Sequence, residues 1–178
     1  MELTEKTKSS ELIYDGTVLH AYRDTVELPD GGESVREYVR HNGAVCIVPL
    51  TDDGRVVLER QYRYAVGRVM TEIPAGKLDY KDEDPLEAAV RELREETGAV
   101  AREIEYIGDY FGSPAIMGEK ITMFVARGLT FGKTELDEDE FLDVFMMPLE
   151  EAVSAVLNGE ITDGKTQAGI LRAAMMKK

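Results

Sequence analysis

Apolar and polar residues alternate along much of the first third of the chain, and this pattern predicts β-strands. The clearest alternation lies in residues 17–27 and in residues 34–41, where Val35, Tyr38 and Val39 stand among polar neighbours. A Pro-Asp-Gly-Gly turn at 29–32 separates the two segments. Two apolar runs then flank Asp-Asp-Gly at 52–54, which predicts a hairpin. Further strands are expected in residues 101–113, 119–129 and 141–148.

One helix stands out in the middle of the chain, and its end signals agree with its periodicity. Asp84 is suited to the N-cap, Pro85 to the first helical position, and Glu87 follows the cap by three residues. Gly98 lies where a helix commonly ends. Two more helices are expected in residues 149–159 and 165–176, near the end of the chain.

The central helix carries an unusual group of acidic residues. At about 100° per residue, Glu92, Glu95 and Glu96 share one arc of the helix. The adjoining arc is mostly apolar and is expected to pack on a sheet; it comprises Leu86, Ala89, Val90, Leu93 and Thr97. We therefore expect the carboxylates along the edge of the helix–sheet interface. Arg91 stands one helical turn from both Glu87 and Glu95 and can hydrogen-bond either of them.

Length and composition indicate a single folded domain. The chain has 178 residues, of which 43% are hydrophobic, enough for a proper core. Many strands with one early and two late helices favour an α+β or α/β sandwich. The formal net charge of -14 argues against nucleic acid as a partner, because such binding depends on many Lys and Arg contacts to phosphate.

The compartment and the ion preference follow from other residue types. The single cysteine, Cys46, makes an internal disulfide impossible, and no apolar segment is long enough to span a bilayer. We expect a cytoplasmic protein without a membrane partner.

Clustered carboxylates need positive charge, and oxygen ligands of this kind suit Mg²⁺, for which Mn²⁺ can substitute. The alternative is a solvated charged face of the helix.

The segment GKLDYKDEDPLEAAVRELREETGA, residues 76–99, resembles the Nudix box. That pattern is Gly, five residues, Glu, seven residues, then Arg-Glu-apolar-any-Glu-Glu-any-Gly-apolar. Arg91 and Gly98 match it, and Glu83 falls on its first Glu. The loop that follows Gly76 is one residue longer than in the pattern. The core Arg-Glu-Leu-Arg-Glu-Glu is intact.

The resemblance implies a fold, a reaction and a metal site. The implied fold is a Nudix-type α/β/α sandwich with a mixed sheet in residues 43–178, preceded by an antiparallel strand region in residues 1–42. The implied reaction is hydrolysis of the pyrophosphate bond of a nucleoside diphosphate derivative. The implied metal ligands are Glu92, Glu95, Glu96 and the backbone carbonyl of Ala75, and Glu95 is also a candidate catalytic residue.

Three further segments resemble the ADP-ribose pyrophosphatase branch of that family. DYFGSPAIMGEKITMF places Pro114 at about the branch's distance after the box, although a plain turn proline is the alternative. ELDEDEF resembles the loop that supplies the general base, with Glu138 the first choice and Glu140 the second. LERQYRYAV resembles the strand whose arginine binds the substrate phosphates, here Arg63.

The resemblance also bears on the remaining arginines, the assembly and the substrate. Arg36 and Arg40 are weaker candidates for substrate binding, with surface or dimer contacts as the alternative. Members of the branch are homodimers, so residues 1–42 are expected to contribute a dimer contact. The expected substrate is ADP-ribose, cleaved to AMP and ribose 5-phosphate. The alternatives are an ADP-sugar, GDP-mannose or an oxidised nucleoside triphosphate, or a regulator that binds a nucleotide without cleaving it.

Overall fold

The computed structural model describes residues 2–136 and 140–176. Contacts within the chain divide it into two units. The first comprises the residues up to Asn42 together with Phe111–Lys120, and the second comprises Gly43–Tyr110 and the residues from Ile121 onward. The short segment 111–120 therefore groups with the N-terminal strands, whereas the sequence pattern assigns it to the domain that follows them.

The first unit contains a three-stranded antiparallel sheet. Its strands are β1 (Lys6–Asp15), β2 (His20–Glu27) and β3 (Glu33–Arg40), in the order β1-β2-β3. The Pro-Asp-Gly-Gly turn joins β2 to β3, and Gly31 takes a φ of 84°, a conformation that glycine adopts without strain. Strand β1 lies ahead of the predicted strands. All its residues are exposed, and a strand without a buried face shows no alternation of apolar and polar positions.

The second unit contains two sheets. Their strands are β4 (Ala44–Pro49), β5 (Arg55–Arg63), β6 (Arg68–Glu72), β7 (Ala75–Lys77), β8 (Ala99–Tyr110), β9 (Ile121–Phe131) and β10 (Leu142–Pro148). One sheet is antiparallel with the order β10-β5-β6, and the other has the order β7-β4-β9-β8. Strands β4 and β9 are parallel while the other pairs are antiparallel, so the expected mixed sheet is confirmed.

The hairpin predicted around Asp-Asp-Gly is wrong. A turn does form there, with the Thr51 N–H donating to the Arg55 carbonyl over 2.9 Å and Gly54 at a φ of 83°. Beyond one bridge between Leu50 and Val56, however, β4 and β5 separate into different sheets. Strand β4 is buried throughout and pairs with β7 and β9. Strand β5 is buried over residues 56–59 and pairs with β6 and β10, so each strand completes its hydrogen bonds in its own sheet.

The described ranges contain three helices, α1 (Pro85–Thr97), α2 (Leu149–Leu157) and α3 (Gly164–Met175). Helix α1 packs on one face of the four-stranded sheet and α3 on the other, while α2 packs against α3, β5 and β10. Successive side chains of β4 point to opposite faces: Val45 packs in the cluster that contains α1, and Cys46 in the cluster that contains α2 and α3. This arrangement confirms the α/β/α sandwich. No helix in the described ranges is long and apolar enough to cross a membrane.

The face that α1 buries agrees with the expected one in part. Of the expected residues, Ala89, Leu93 and Thr97 are buried, whereas Leu86 and Val90 remain 44% and 49% exposed. Leu93 anchors the helix on the sheet. The buried arc extends instead over Glu92 and Glu96, which lie within the helix–sheet interface, while Glu95 remains partly exposed.

Candidate active site

Helix α1 positions the acidic residues, and its two ends are fixed by local interactions. The Asp84 side chain accepts a hydrogen bond from the Leu86 N–H over 2.8 Å, which caps the N-terminus. Gly98 ends the helix at a φ of 68°, with its N–H donating to the Arg94 carbonyl. Capping at both ends fixes the register in which Glu92 and Glu96 face the sheet.

Two of the three glutamates are buried next to backbone. The Ala75 N–H donates to Glu96 Oε2 over 2.9 Å, and Glu96 is only 4% exposed. Glu92 is 9% exposed and lies against Gly76, where an added Cβ would stand 1.9 Å from the Glu92 carboxyl carbon. Strand β7 therefore approaches α1 so closely that residue 76 has no space for a side chain.

Arg91 holds the carboxylates of the box. Its guanidinium donates to Glu92 Oε1 over 2.7 Å, to Glu95 Oε2 over 3.3 Å and to Glu83 Oε1 over 3.3 Å. Glu83 in turn accepts from the Asp79 N–H over 2.7 Å, which closes the loop before the helix. Arg91 thus connects three acidic groups of the box, one of which lies in the loop that precedes the helix.

Burial makes the charged form of these carboxylates unfavourable. It raises the pKa of Glu92 to about 7, against the opposing effect of Arg91. Burial also raises the pKa of Glu96, and the charges of Glu59 and Glu92 raise it further. A divalent cation in this cluster would offset both effects, because it stabilises the ionised form of buried carboxylates that repel one another.

Glu59 joins this cluster from β5, and the sequence analysis did not identify it. The residue is fully buried, and neither carboxylate oxygen has a hydrogen-bond partner among the described residues. Burial and the charge of Glu72 raise the pKa of Glu59. A signal was present in the sequence, because Glu59 follows Val-Val-Leu directly and so extends a buried run with an acidic residue.

A second group of charges surrounds Glu72 at the end of β6. The Arg63 guanidinium binds it in a bidentate manner, with Nε to Oε1 at 2.7 Å and Nη2 to Oε2 at 2.8 Å. Lys165 also pairs with Glu72, and it reaches Asp163 Oδ2 over 3.1 Å. Glu72 and Lys165 were missed in the sequence, because neither belongs to a local motif there. Arg63, which was identified, keeps a partly exposed side chain.

The loop expected to supply a base is only partly described. Glu138, the first choice, lies outside the described residues. Glu140, the second choice, is half-buried, and its charge contributes to the raised pKa values of Glu92, Glu96 and Glu59. The structure therefore brings Glu140 within electrostatic reach of the buried carboxylates.

Three of the expected substrate-binding residues belong to the first unit. Arg36 donates to Glu5 Oε2 over 2.9 Å, and Arg40 lies over the Tyr22 ring with its guanidinium carbon 3.7 Å from the ring centroid. Pro114 is exposed in a turn whose hydrogen bonds converge on the Ser113 carbonyl. The carboxylate cluster described above belongs to the second unit.

The donor set fits a hard divalent cation. Every side-chain group in the cluster offers oxygen, and the Glu59 oxygens are buried without a partner. No three His, Cys, Asp or Glu side chains in residues 2–136 and 140–176 already enclose a metal position. Arg91 engages one oxygen of each of two candidate ligands, Glu92 Oε1 and Glu95 Oε2.

Comparison with known proteins places this geometry in a family. The NUDIX domain model matches residues 40–168, and the nucleoside diphosphate sugar hydrolase N-terminal domain model matches residues 5–39. The ADP-ribose pyrophosphatase of Bacillus subtilis (strain 168) is 42% identical over 170 residues, which cover 94% of this chain and 91% of that protein.

A second relative and a solved structure extend the comparison. The methanol dehydrogenase activator of Bacillus methanolicus is 42% identical over 164 residues, covering 91% of this chain and 88% of that protein. A crystal structure of an ADP compounds hydrolase superposes with a TM-score of 0.86 at 23% identity, covering 98% of this chain and 95% of that one. It shares the fold. The buried box glutamates and these matches together show that the chain belongs to the Nudix hydrolase family.

Proposed function

We propose that this chain hydrolyses the pyrophosphate bond of ADP-ribose and releases AMP and ribose 5-phosphate. The observation that carries the proposal is the 42% identity to an ADP-ribose pyrophosphatase over nearly the whole chain. The site supports it, because Glu92, Glu95 and Glu96 are all present on α1 and two of them are buried beside β7.

We assign the cation site to Glu92, Glu95, Glu96 and the Ala75 carbonyl, with Mg²⁺ as the ion and Mn²⁺ as its substitute. A divalent ion held by these residues would supply positive charge for the pyrophosphate oxygens and for the attacking water. Gly76 lets the Glu92 carboxylate lie against β7, and the Ala75 N–H orients the Glu96 carboxylate. Arg91 keeps Glu92 and Glu95 in place before the ion arrives.

The remaining roles concern the phosphates and the water. Arg63 is proposed to bind a substrate phosphate with the face of its guanidinium that Glu72 leaves exposed. Glu138 or Glu140 is proposed to accept the proton of the attacking water. Arg36, Arg40 and Pro114 are proposed to contact the substrate outside its pyrophosphate group.

A substrate panel tests the proposal. Purified protein with Mg²⁺ is assayed against ADP-ribose, ADP-glucose, GDP-mannose and an oxidised deoxyguanosine triphosphate, and nucleoside monophosphate release is measured by chromatography. We expect kcat/KM to be highest for ADP-ribose and EDTA to abolish turnover. A preference for another member of the panel would overturn the substrate assignment but not the reaction class.

The cation site is tested by Glu96→Gln. We expect this variant to lose more than about 99% of kcat, because a neutral amide is a poor ligand for a hard cation. The circular dichroism spectrum is expected to remain that of the wild type. Glu103→Gln is the control, since Glu103 is an exposed glutamate on β8. Turnover by Glu96→Gln near the wild-type rate would contradict the assignment.

Two observations favour second candidates. The match of residues 5–39 to the nucleoside diphosphate sugar hydrolase N-terminal domain favours a nucleotide sugar as substrate. The relative named as a methanol dehydrogenase activator raises the possibility of a regulator that binds a nucleotide. Tight ADP-ribose binding in calorimetry without AMP release in the presence of Mg²⁺ would favour the regulator.

We also propose a homodimer in the cytoplasm. Several apolar side chains of the first unit are exposed and suit a contact with a second copy: Leu12, Ile13, Val18, Leu19 and Val35. Cytoplasmic location agrees with the single cysteine, Cys46, which is a buried free thiol and needs no oxidising compartment.

A further inference from the structure

Glu59, in the second unit, is a buried carboxylate whose oxygens lack hydrogen-bond donors among the described residues. It lies in β5 and is fully buried. Buried charged groups in proteins are normally paired, hydrogen-bonded or bound to a metal ion. Within the described residues Glu59 has neither an ion pair nor a hydrogen bond, so binding to a metal ion is the explanation that remains.

The cations near Glu59 are already engaged elsewhere. Glu59 pairs in register with Glu72 on the adjacent strand β6, and the charges of Lys165 and Arg63 act on it. Both of those cations, however, bind Glu72 directly, and Arg63 does so through two hydrogen bonds. The positive charges of Lys165 and Arg63 therefore act on Glu59, but Glu59 makes no hydrogen bond to either residue.

Strand pairing connects Glu59 to the region of Glu96. Glu59 pairs in register with Glu72, and three residues after Glu72 the Ala75 N–H donates to Glu96 Oε2. The charge of Glu59 accordingly acts on Glu96, and the charge of Glu140 acts on both residues. Two acidic groups from different elements are thus close enough to repel each other, and in the described part of the chain neither makes a hydrogen bond to a basic side chain.

We propose that Glu59 is a further carboxylate of the divalent-cation site, contributed by β5 and additional to the glutamates of the box. The inference rests on the cation dependence within the proposed function and not on the choice of substrate. A cation between Glu59 and Glu96 would supply the positive charge that both lack, and it would give the unpartnered oxygens of Glu59 a ligand role.

Cation binding without nucleotide tests the inference directly. Mn²⁺ is titrated into the full chain by calorimetry, for the wild type and for Glu59→Gln, which keeps the size of the side chain and removes its charge. We expect Kd for Mn²⁺ to rise at least about tenfold. The increase in Tm caused by saturating Mn²⁺ is expected to shrink, while the Tm in EDTA stays equal or rises, because an unpaired buried carboxylate has been removed.

A matched control separates the site from overall charge. Asp143→Asn removes one carboxylate from β10, the strand paired with β5, but Asp143 is exposed and bonded to Arg60. We expect its Kd for Mn²⁺ to stay within about twofold of the wild type. If Glu59→Gln does not fold, Glu59→Leu is used instead, because apolar replacements of buried charges are commonly tolerated.

The outcomes distinguish this inference from the proposed function. Unchanged Mn²⁺ affinity in a folded Glu59 variant would overturn it, even if the wild type cleaves ADP-ribose. A wild-type chain that binds no Mn²⁺ would overturn it as well. A wild type that binds Mn²⁺ but releases no AMP, together with weakened Mn²⁺ binding in the variant, would refute the proposed substrate and support the role of Glu59.

Discussion

At the scale of single residues, the site depends on which side chains are absent as much as on which are present. Gly76 has no Cβ, and any other residue there would place one 1.9 Å from the Glu92 carboxyl carbon. The Ala75 N–H next to it donates to Glu96. One short strand thereby accommodates two carboxylates of α1. Gly76→Ala would therefore displace the Glu92 carboxylate from its position against β7.

The general base is a prediction at the same scale. We expect Glu138→Gln to lower kcat by about 10²–10⁴-fold, the range for loss of a positioned base, with little change in KM. Steady-state kinetics of Glu138→Gln and Glu140→Gln, measured side by side, check this expectation. A large loss in Glu140→Gln alone would reverse the order of the two candidates, and Glu103→Gln again serves as the control.

At the scale of elements, the sequence predicted the bounds of helix α1 well and its buried face in part. The boundaries follow from Asp84, Pro85 and Gly98, which act locally and are visible in the sequence. The rest of the face was misjudged because apolar character was taken as the guide to burial. Leu86 and Val90 are exposed, and Glu92 and Glu96 are buried instead. A functional site overrides the apolar pattern here.

The buried acidic face predicts a pH dependence of stability in the metal-free protein. The pKa of Glu92 is raised from 4.5 to about 7, so the folded state keeps a proton that the unfolded chain has lost. The free energy of unfolding should therefore fall as pH rises through that interval, by up to about 3 kcal/mol from this residue.

Urea unfolding in EDTA between about pH 4 and about pH 8 checks this prediction. Glu92→Gln cannot titrate and still offers Arg91 an acceptor, so its unfolding free energy should lack the part of the decline that belongs to Glu92. Parallel curves for wild type and variant would contradict the prediction. Adding Mn²⁺ to the wild type should reduce the decline, because a bound cation favours the ionised carboxylate.

At the scale of the whole molecule, the two units differ in how they expose apolar surface. The second unit buries its core between the sheets and helices α1, α2 and α3. In the first unit every residue of β1 is exposed, including Leu12, Ile13 and Tyr14. Exposed apolar residues grouped in this way commonly mark an interaction surface.

The homodimer is the prediction at this scale. Sedimentation at micromolar concentration is expected to give twice the monomer mass of 19.8 kDa. Leu12→Glu should weaken the dimer at least about tenfold, because a charge would be buried at the contact. Val100→Glu is the control, since Val100 is similarly exposed but lies on β8 of the second unit. A monomeric wild type would refute the prediction.

The sequence alone determined what depends on local spacing. The ends of α1, the box residues that it carries and the family they indicate all follow from short-range patterns, because caps and one helical face require only neighbouring residues. Most strands were visible for the same reason. Strands β1, β6 and β7 were not predicted, and the pairing of β4 and β5 was misjudged.

The tertiary structure alone decided what depends on residues distant in the chain. Strands β4 and β5 belong to different sheets although they are adjacent in sequence. Glu59, Glu72 and Lys165 come from three different elements and lie close enough for their charges to interact. Strand pairing and burial are set by partners far apart in sequence, which no local pattern records. The desolvation that raises the pKa values of Glu92 and Glu96 arises from that long-range packing.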